Sequence, residues 1–277
     1  MLYIADENGP TEAWGSIRVY DNISGFVEIT VEQVKAAAPS DMYVTPDGGS
    51  LFAASSANGV IEKFRWDGNS WIRAGVIIET PASSLLTLKP GPDGQLYAVD
   101  GAPASGRGQI LTVDPRTDKS AMGMLSFPDL VGASGISWSN DGATAFIAGT
   151  SSDDNSSVLL VVSWPSAQIM KIIDLPLAHT RQAVTSPDGK SVYIMGSGSI
   201  AKVDVATGAV SSSLNPSPEA STDYADADFS ADGSSMFVTG SPPGGDSNLY
   251  IVSLETGLLL NEVKHISAKA GGIQRVE

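Results

Sequence analysis

Five aspartates stand beside short apolar runs, at points where their carboxylates could be brought together. Asp6 and Asp100 follow the runs LYIA and LYAV, whereas Asp41 and Asp226 begin comparable runs. Asp228 comes two residues after Asp226, so both side chains share one face of a strand. Gathered carboxylates repel one another unless a cation or a shared proton lies between them. A hard cation such as calcium takes roughly six to eight oxygen ligands, and these acids could supply several of them. The alternative is that the five acids cap turns and face water.

His179 and Arg181 form the pair best suited to catalysis. Histidine can transfer a proton near neutral pH, and arginine can hold a carboxylate or a phosphate in a bidentate geometry. The alternative is a loop histidine with an ordinary hydrogen bond. Trp14 lies in a long polar segment, where its ring could contact a ligand. With 2 histidines in the sequence, a zinc site made of three histidines is impossible.

Composition excludes several classes of function. The chain of 277 residues has no cysteine, which excludes disulfide scaffolds, thiol nucleophiles and thiolate metal sites. Its 31 acidic and 16 basic side chains give a formal net charge of −15. This charge argues against a nucleic-acid partner, because phosphate binding requires a basic surface. No apolar run is long enough to span a membrane as a helix.

A repeated unit places these residues in a fold. It consists of an apolar strand, an Asp-Gly turn and a second strand with an aromatic residue near its start, as in MYVTPDGGSLFAAS. The turn aspartates, at spacings of 46, 48, 47 and 44 residues, are Asp47, Asp93, Asp141, Asp188 and Asp232. Asp-Gly between two alternating runs is a strong hairpin signal, and a third and a fourth strand follow each hairpin. Four strands in about 40–50 residues are typical of a propeller blade. A β-sandwich has similar strands but would not repeat its turn at a constant period.

The two ends of the sequence set the number of blades. Leu2–Asp6 aligns with the second strands of the repeats and has no first strand before it, whereas Gly271–Glu277 looks like a first strand without a partner. Joined, they complete one more hairpin, because an open ring would leave unpaired strand edges. We therefore predict an all-β, six-bladed β-propeller with four antiparallel strands per blade. Residues 1–277 form a single domain, closed by pairing the C-terminal strand with the N-terminal blade.

The segments IAKVDVATGAV and LYIVSLETGLL, each after such a hairpin, resemble the YVTN-type and NHL-like propeller repeats. The resemblance implies a six-bladed propeller of the lactonase-like or strictosidine-synthase-like kind. Relatives of this broad group include sugar lactonases, lyases and non-enzymatic adaptor proteins, so the resemblance implies a fold more specifically than a function. Calcium-dependent gluconolactonases carry an asparagine and an aspartate where this chain has Ser134 and Gly149. Their metal site is therefore not carried over.

The two faces of such a ring differ in sequence. The Asp-Gly turns lie on one face and are short, whereas the loops of the other face vary, as in segments 6–16, 100–108, 150–157 and 241–248. Variable loops on a rigid ring are where binding is expected. We therefore predict a binding module that presents an acidic loop face and channel mouth to a protein partner or a small-molecule ligand. The alternative is a lactone hydrolase or lyase that uses calcium or another divalent cation at the channel mouth, with His179 as acid or base.

The acidic surface, rich in serine, glycine and threonine, favours an extracellular or periplasmic location from which a leader has been removed. The alternatives are that a preceding domain has been removed or that the protein is cytosolic.

Overall fold

Six four-stranded antiparallel sheets account for every strand in the described part of the chain. The computed structural model describes residues 1–11, 14–21, 27–32, 39–57, 59–79, 84–101, 107–117, 124–217, 219 and 221–276. Within these ranges there is no helix long and apolar enough to cross a membrane. The first strands of the sheets contact one another around a central channel. The chain is thus a six-bladed β-propeller, as the repeat predicts.

Each blade is numbered by its place in the chain, and its strands are given from the channel outward. Blades 1 to 3 consist of β24 (Ala270–Arg275), β1 (Leu2–Thr11), β2 (Trp14–Asp21) and β3 (Val27–Glu32); β4 (Pro39–Val44), β5 (Ser50–Ser55), β6 (Val60–Trp66) and β7 (Trp71–Glu79); and β8 (Leu85–Pro90), β9 (Leu96–Asp100), β10 (Gly108–Val113) and β11 (Met124–Phe127). Blades 4 to 6 consist of β12 (Leu130–Trp138), β13 (Thr144–Ser151), β14 (Ser157–Ser163) and β15 (Gln168–Asp174); β16 (Thr180–Thr185), β17 (Ser191–Gly196), β18 (Ile200–Asp204) and β19 (Val210–Leu214); and β20 (Asp223–Phe229), β21 (Ser235–Ser241), β22 (Ser247–Ser253) and β23 (Leu259–Ser267).

The Asp-Gly turns owe their shape to side-chain hydrogen bonds. In blade 2 the Asp47 carboxylate accepts hydrogen bonds from the Thr45 hydroxyl, at 2.5 Å, and from the Gly49 amide, at 3.0 Å. Gly48 adopts a φ of 67°, which a residue with a side chain rarely does. The same serine or threonine, aspartate and glycine pattern recurs in blades 4, 5 and 6. The recurring sequence signal is therefore a recurring hydrogen-bonded turn.

Among the described residues, six apolar clusters hold neighbouring blades together, one for each pair of adjacent blades. Strand residues alternate between the two faces of a blade, so every blade contributes to two of these clusters. The cluster between blades 3 and 4 contains the rings of Tyr97, Trp138 and Trp164, whose centroids lie 5.1–5.8 Å apart. This packing between blades fixes the walls of the channel.

Blade 1 closes the ring by joining both ends of the chain. Strand β24 pairs antiparallel with β1, with Leu2 opposite Arg275 and Ile4 opposite Ile273. The backbone groups of Met1 and Val276 exchange two hydrogen bonds of 2.9 Å. The predicted closure is therefore confirmed.

Deleting residues 271–277 should destabilise the protein far more than the loss of an ordinary tail. The deletion removes most of β24, exposes the edge of β1 and takes Ile273 out of the cluster between blades 6 and 1. The free energy of unfolding, measured with urea, should fall by more than the roughly 2–5 kcal/mol that truncating one buried isoleucine costs. A deletion of residues 276–277 alone, which keeps β24, serves as the control. Equal stability of the two deletions would contradict this account of the closure.

Candidate functional site

The inner strands share an irregularity in their pairing with the second strands. In every blade, the register between the inner strand and the second strand shifts at a corresponding point. On the inner strands of blades 2 to 6, the shift lies between Pro39 and Asp41, between Leu85 and Thr87, between Ala133 and Gly135, between Thr180 and Ala183, and between Tyr224 and Asp226. In blade 1 it lies between Ile4 and Asp6 of the second strand, β1. A register shift of this kind removes ladder hydrogen bonds and re-aims a side chain. Backbone amides at these points need other acceptors, because an unpaired buried amide is costly.

Asp41 supplies such an acceptor in blade 2. Its Oδ1 accepts a 2.8 Å hydrogen bond from the amide of Met42, and its Oδ2 accepts one of 2.8 Å from the amide of Leu88 in blade 3. The carboxylate packs so closely on blade 1 that a Cβ at Gly272 would lie 1.7 Å from Oδ1. Glycine is therefore required at that position of β24. One carboxylate thus caps an irregularity and contacts both neighbouring blades.

Asp226 performs the same role in blade 6. Its carboxylate accepts hydrogen bonds from the amides of Ala227, at 2.8 Å, and of Ile273 in blade 1, at 3.1 Å. Gln182 in blade 5 acts in the same way with a neutral amide oxygen, which accepts from its own blade and from blade 4. Acceptors at this level of the channel therefore stabilise the ring, and two of them carry a negative charge.

Lys89 of blade 3 neutralises this charge across the channel. Its ammonium lies 2.7 Å from the Asp226 carboxylate of blade 6 and 3.2 Å from that of Asp41 in blade 2. Blades 3 and 6 stand on opposite sides of a six-bladed ring, so the lysine side chain crosses the channel. We call this group of three side chains the lysine bridge. It divides the channel into two separate cavities.

The lysine bridge has a marked effect on protonation. Burial by itself lowers the pKa of Lys89, but the carboxylates of Asp226 and Asp41 outweigh burial, and the pKa lies above its ordinary value. Burial raises the pKa of Asp41 to about 7, with a further rise from Asp226 and an opposing effect of Lys89. Burial also raises the pKa of Asp228, which lies nearby in the channel. The lysine therefore stays protonated while Asp41 titrates near neutrality.

The two cavities differ greatly in size. The loop-face cavity has a volume of about 60 Å³, and residues that line it include Glu7, Ser134, Arg181, Asp223, Ser241 and Lys269. The turn-face cavity, at the end of the channel surrounded by the Asp-Gly turns, has a volume of about 730 Å³. Residues that line it include Tyr43, Lys89, Ser137, Trp138, Asn140 and Asp228. The larger cavity thus lies on the face that the sequence analysis did not favour.

Ion pairs occupy much of the channel at its loop-face end. The Arg181 guanidinium makes a two-pronged contact with the Asp223 carboxylate, which also accepts a 2.9 Å hydrogen bond from the Ser197 hydroxyl. Lys269 pairs with Glu7 at the same end of the channel. The charged side chains of this cavity therefore already have partners within the protein.

Three of the five predicted metal ligands come together in the structure, and they surround a lysine. Asp41, Asp226 and Asp228 lie in the channel around Lys89. Within the described residues, no group of three or more histidine, aspartate or glutamate side chains is arranged to hold a metal ion. The metal site itself stays a prediction.

The other two predicted ligands lie elsewhere. Asp6 is buried in blade 1, where its carboxylate is 3.1 Å from the Arg18 guanidinium. Asp100 ends β9 in blade 3 and accepts a 3.0 Å hydrogen bond from the amide of Ser84. Neither of them lines the loop-face cavity or the turn-face cavity. These two acids therefore make their contacts away from the three acids that surround Lys89.

The predicted catalytic pair is divided. His179 lies on an exposed crossover and does not line the loop-face cavity, whereas Arg181 does. Segment 6–16 is predicted as a loop, but its residues 6–11 and 14–16 belong to the ends of β1 and β2, with Thr11 opposite Trp14. The segment has few apolar residues, so hydrophobic alternation could not show these strand ends. The side chain of Trp14 lies outside the described residues.

Lys89 is the functional residue that sequence reasoning missed. In the run LTLKP, Thr87 and Lys89 lie on the same strand face, because residues two apart point the same way. That face corresponds to Asp226 and Asp228 of blade 6. The position of Lys89 on the channel face of blade 3, opposite Asp226 and Asp228 of blade 6, could therefore have been predicted from the sequence.

Replacing Lys89 with methionine should destabilise the protein strongly. The variant leaves the buried carboxylates of Asp41 and Asp226 without their counter-charge, and breaking a buried pair in this way costs about 3–5 kcal/mol. Urea unfolding measures the loss. Lys190→Met is the control, since the Lys190 side chain is 81% exposed and lies 3.9 Å from Asp188. Exposed pairs contribute little, so this change should be small.

Thermal melting in the presence of divalent cations addresses the predicted metal. Calcium, magnesium and manganese should leave the melting temperature of the wild-type protein unchanged, because Lys89 already supplies the positive charge between the carboxylates. Stabilisation by any of these ions that is lost in Asp226→Asn or Asp228→Asn would support the metal site instead.

Asp41 should make the protein less stable as the pH rises through neutrality. Its pKa is raised from 3.8 to about 7 on folding, so its stabilising contribution is full below about pH 4 and is lost as the pH rises past 7. Urea unfolding at about pH 5 and pH 8 should show a smaller decline for Asp41→Asn than for the wild type. Asp47→Asn is the control, because hydrogen bonds lower the pKa of Asp47 and its charge is constant over this range. An unchanged decline in Asp41→Asn would contradict the assignment.

Comparison with known proteins identifies the fold. No family model matches the chain, and no curated protein matches it in sequence. Among solved structures, a protein of unknown function from Bacteroides caccae is similar over 98% of this chain and 97% of its own, with a TM-score of 0.70 and 11% identity. TolB from Acinetobacter baumannii is similar over 98% of this chain and 66% of its own (TM-score 0.69, 16% identity). The periplasmic gluconolactonase PpgL from Pseudomonas aeruginosa is similar over 97% and 85% (TM-score 0.68, 16% identity). At these identities the likeness is one of fold alone.

Proposed function

We propose that this propeller binds a small molecule in its turn-face cavity. The observation that carries the proposal is the size of this cavity, about 730 Å³ against about 60 Å³ on the loop face. Small-molecule sites in proteins measure roughly 300–1,000 Å³, and of the two channel cavities lined by described residues the turn-face cavity is the one in that range. The lysine bridge forms the floor of the turn-face cavity, so the cavity is closed at that end and has the shape of a cup.

The rim of the cup is held in shape without a ligand. The turns of neighbouring blades pack on each other: a Cβ at Gly142 would lie 2.6 Å from the Cβ of Pro92. The Asn140 side chain donates a 3.0 Å hydrogen bond to the carbonyl of Pro187 and packs against Gly189. A site that is already formed loses little conformational entropy on binding. This arrangement supports recognition of a defined small ligand.

The chemistry of the cup supports binding more than turnover. Its described lining contains no histidine, and both of its carboxylates, those of Asp141 and Asp228, accept hydrogen bonds from backbone amides. A general base must be within reach of the proton that it removes, and these acids are held by the backbone. The cup therefore presents side chains that can position a ligand.

Lactone hydrolysis, the activity for which the Pseudomonas aeruginosa gluconolactonase is named, has less support in this chain. Ser134 and Gly149 stand where the calcium-dependent gluconolactonase family has ligands, and the Ser134 hydroxyl donates a 2.8 Å hydrogen bond to the hydroxyl of Thr180. A protein partner at the loop face stays a prediction, since parts of that face, such as residues 102–106, lie outside the described residues.

Blocking each cavity separately tests the proposal. The chain has no cysteine, so Ser137→Cys and Ser241→Cys each provide a single thiol, in the turn-face and the loop-face cavity respectively. A library of neutral and charged metabolites is screened against the wild type by thermal shift. A compound that stabilises the wild type should lose its effect on Ser137→Cys labelled with a bulky maleimide, and keep it on labelled Ser241→Cys.

Two results would overturn the proposal. One is that no compound in the library raises the melting temperature of the wild type. The other is that labelling at Ser241, and not at Ser137, abolishes the stabilisation, which would assign ligand binding to the loop face.

A further inference from the structure

We infer that the ligand of the turn-face cavity is a neutral saccharide, an inference that rests on the proposed binding function. The cavity combines flat aromatic surfaces with uncharged hydrogen-bonding groups, and its charged groups already have partners. Each of these properties restricts the ligand independently of the others.

The charged side chains of the cavity are all engaged. Lys89 belongs to the lysine bridge. The Asp228 carboxylate accepts hydrogen bonds of 2.7 Å and 2.6 Å from the amides of Phe229 and Arg275, and the Arg275 guanidinium donates one of 2.9 Å to the carbonyl of Phe229. The Asp141 carboxylate accepts from the hydroxyl and amide groups of its own turn. The described lining also has two basic and two acidic side chains, so its formal charges balance. An ionic ligand would lose hydration here without meeting a net counter-charge, which is unfavourable. The ligand is therefore neutral.

Rigid aromatic rings form part of the cavity wall. Trp138 is one of the lining residues, and its ring packs between blades 3 and 4 against those of Tyr97 and Trp164, with centroids 5.1 Å and 5.8 Å away. Tyr43 lines the cavity and stacks on Phe52, at 6.5 Å. Large flat rings of this kind bury apolar ligand surface without losing further rotational freedom on binding. The ligand should therefore have at least one apolar face.

Neutral donors and acceptors lie among these rings. The Ser137 hydroxyl accepts a 3.0 Å hydrogen bond from the hydroxyl of Thr185, which leaves its own proton for another acceptor. The Asn140 amide nitrogen is engaged by Pro187, whereas its Oδ1 can accept a further hydrogen bond. A hydroxyl group both donates and accepts, so it suits this mixture of partners.

A sugar ring meets the three conditions at once. Its C–H face is apolar and flat enough to pack on Tyr43, its rim carries hydroxyl groups that Ser137 and Asn140 can contact, and it has no charge. The volume of about 730 Å³ leaves room for more than one ring and for water. A purely apolar ligand would leave the polar groups unpaired, at a cost for each of them.

Calorimetric titration with matched sugars tests the inference. The panel contains glucose, galactose, mannose and their neutral disaccharides, with glucuronate and glucosamine as the negative and positive counterparts. At least one neutral sugar should bind about tenfold or more tightly than either charged analogue. Ser137→Ala should weaken that binding by roughly two- to tenfold, the effect of one hydrogen bond. Ser134→Ala is the matched control: it lies on the same strand but lines the loop-face cavity, so its affinity should be unchanged.

The outcomes separate this inference from the proposed function. If the charged analogues bind as well as the neutral sugars, or if Ser134→Ala and Ser137→Ala weaken binding equally, the saccharide inference is wrong. If no sugar binds while other compounds lose their thermal shift on labelling at Ser137, the ligand class is wrong and the binding site stands. If no compound depends on Ser137, both are wrong.

Discussion

Backbone amides that the inner strands leave unpaired determine the chemistry of the channel. The register shifts remove ladder hydrogen bonds at one level of the ring, and side-chain oxygens must replace them. Two of these oxygens belong to Asp41 and Asp226, and a carboxylate in this position brings a negative charge into the interior. Like charges in a confined space are unfavourable, so the channel needs a cation. Lys89 provides it from the opposite blade, and a local backbone requirement thereby becomes a contact across the whole ring.

This contact also determines which part of the channel is open to a ligand. On the loop face, the level above Lys89 is filled by Arg181, Lys269 and their acidic partners, and about 60 Å³ is left. On the turn face the inner strands carry smaller or aromatic side chains, such as Ser137, and a cup of about 730 Å³ results. A propeller whose loops vary in sequence on one face need not bind a ligand on that face, because sequence variation does not determine how much space lies between the loops.

The fold could be predicted from the sequence because its signals are local. Each Asp-Gly turn is specified by residues within five positions of one another, and the hairpins repeat at a nearly constant interval. The pairing of β24 with β1 could be predicted because each end of the sequence carries one strand of a hairpin without its partner. The candidate site could not be predicted in this way, because its floor joins Lys89 to Asp226, which is 137 positions away. The register shift next to Asp226 also leaves no pattern in the hydrophobic alternation. The acids Asp41, Asp226 and Asp228 were recognised as a group, but the lysine that lies among them was not.

The pairing of β24 with β1 has a consequence for folding kinetics. The contact between Leu2 and Arg275 joins residues at opposite ends of the sequence, and contacts of this range form slowly because the intervening chain must first be ordered. The five blades that are each formed from continuous sequence can fold from local hairpins, whereas blade 1 can form only when both of its ends meet. The turn-face cavity contains side chains from β24, such as Gln274, so it exists only after that last step. Completion of the turn-face cavity is therefore a late event in the folding of this chain, and the appearance of the ligand binding that we propose there would report ring closure.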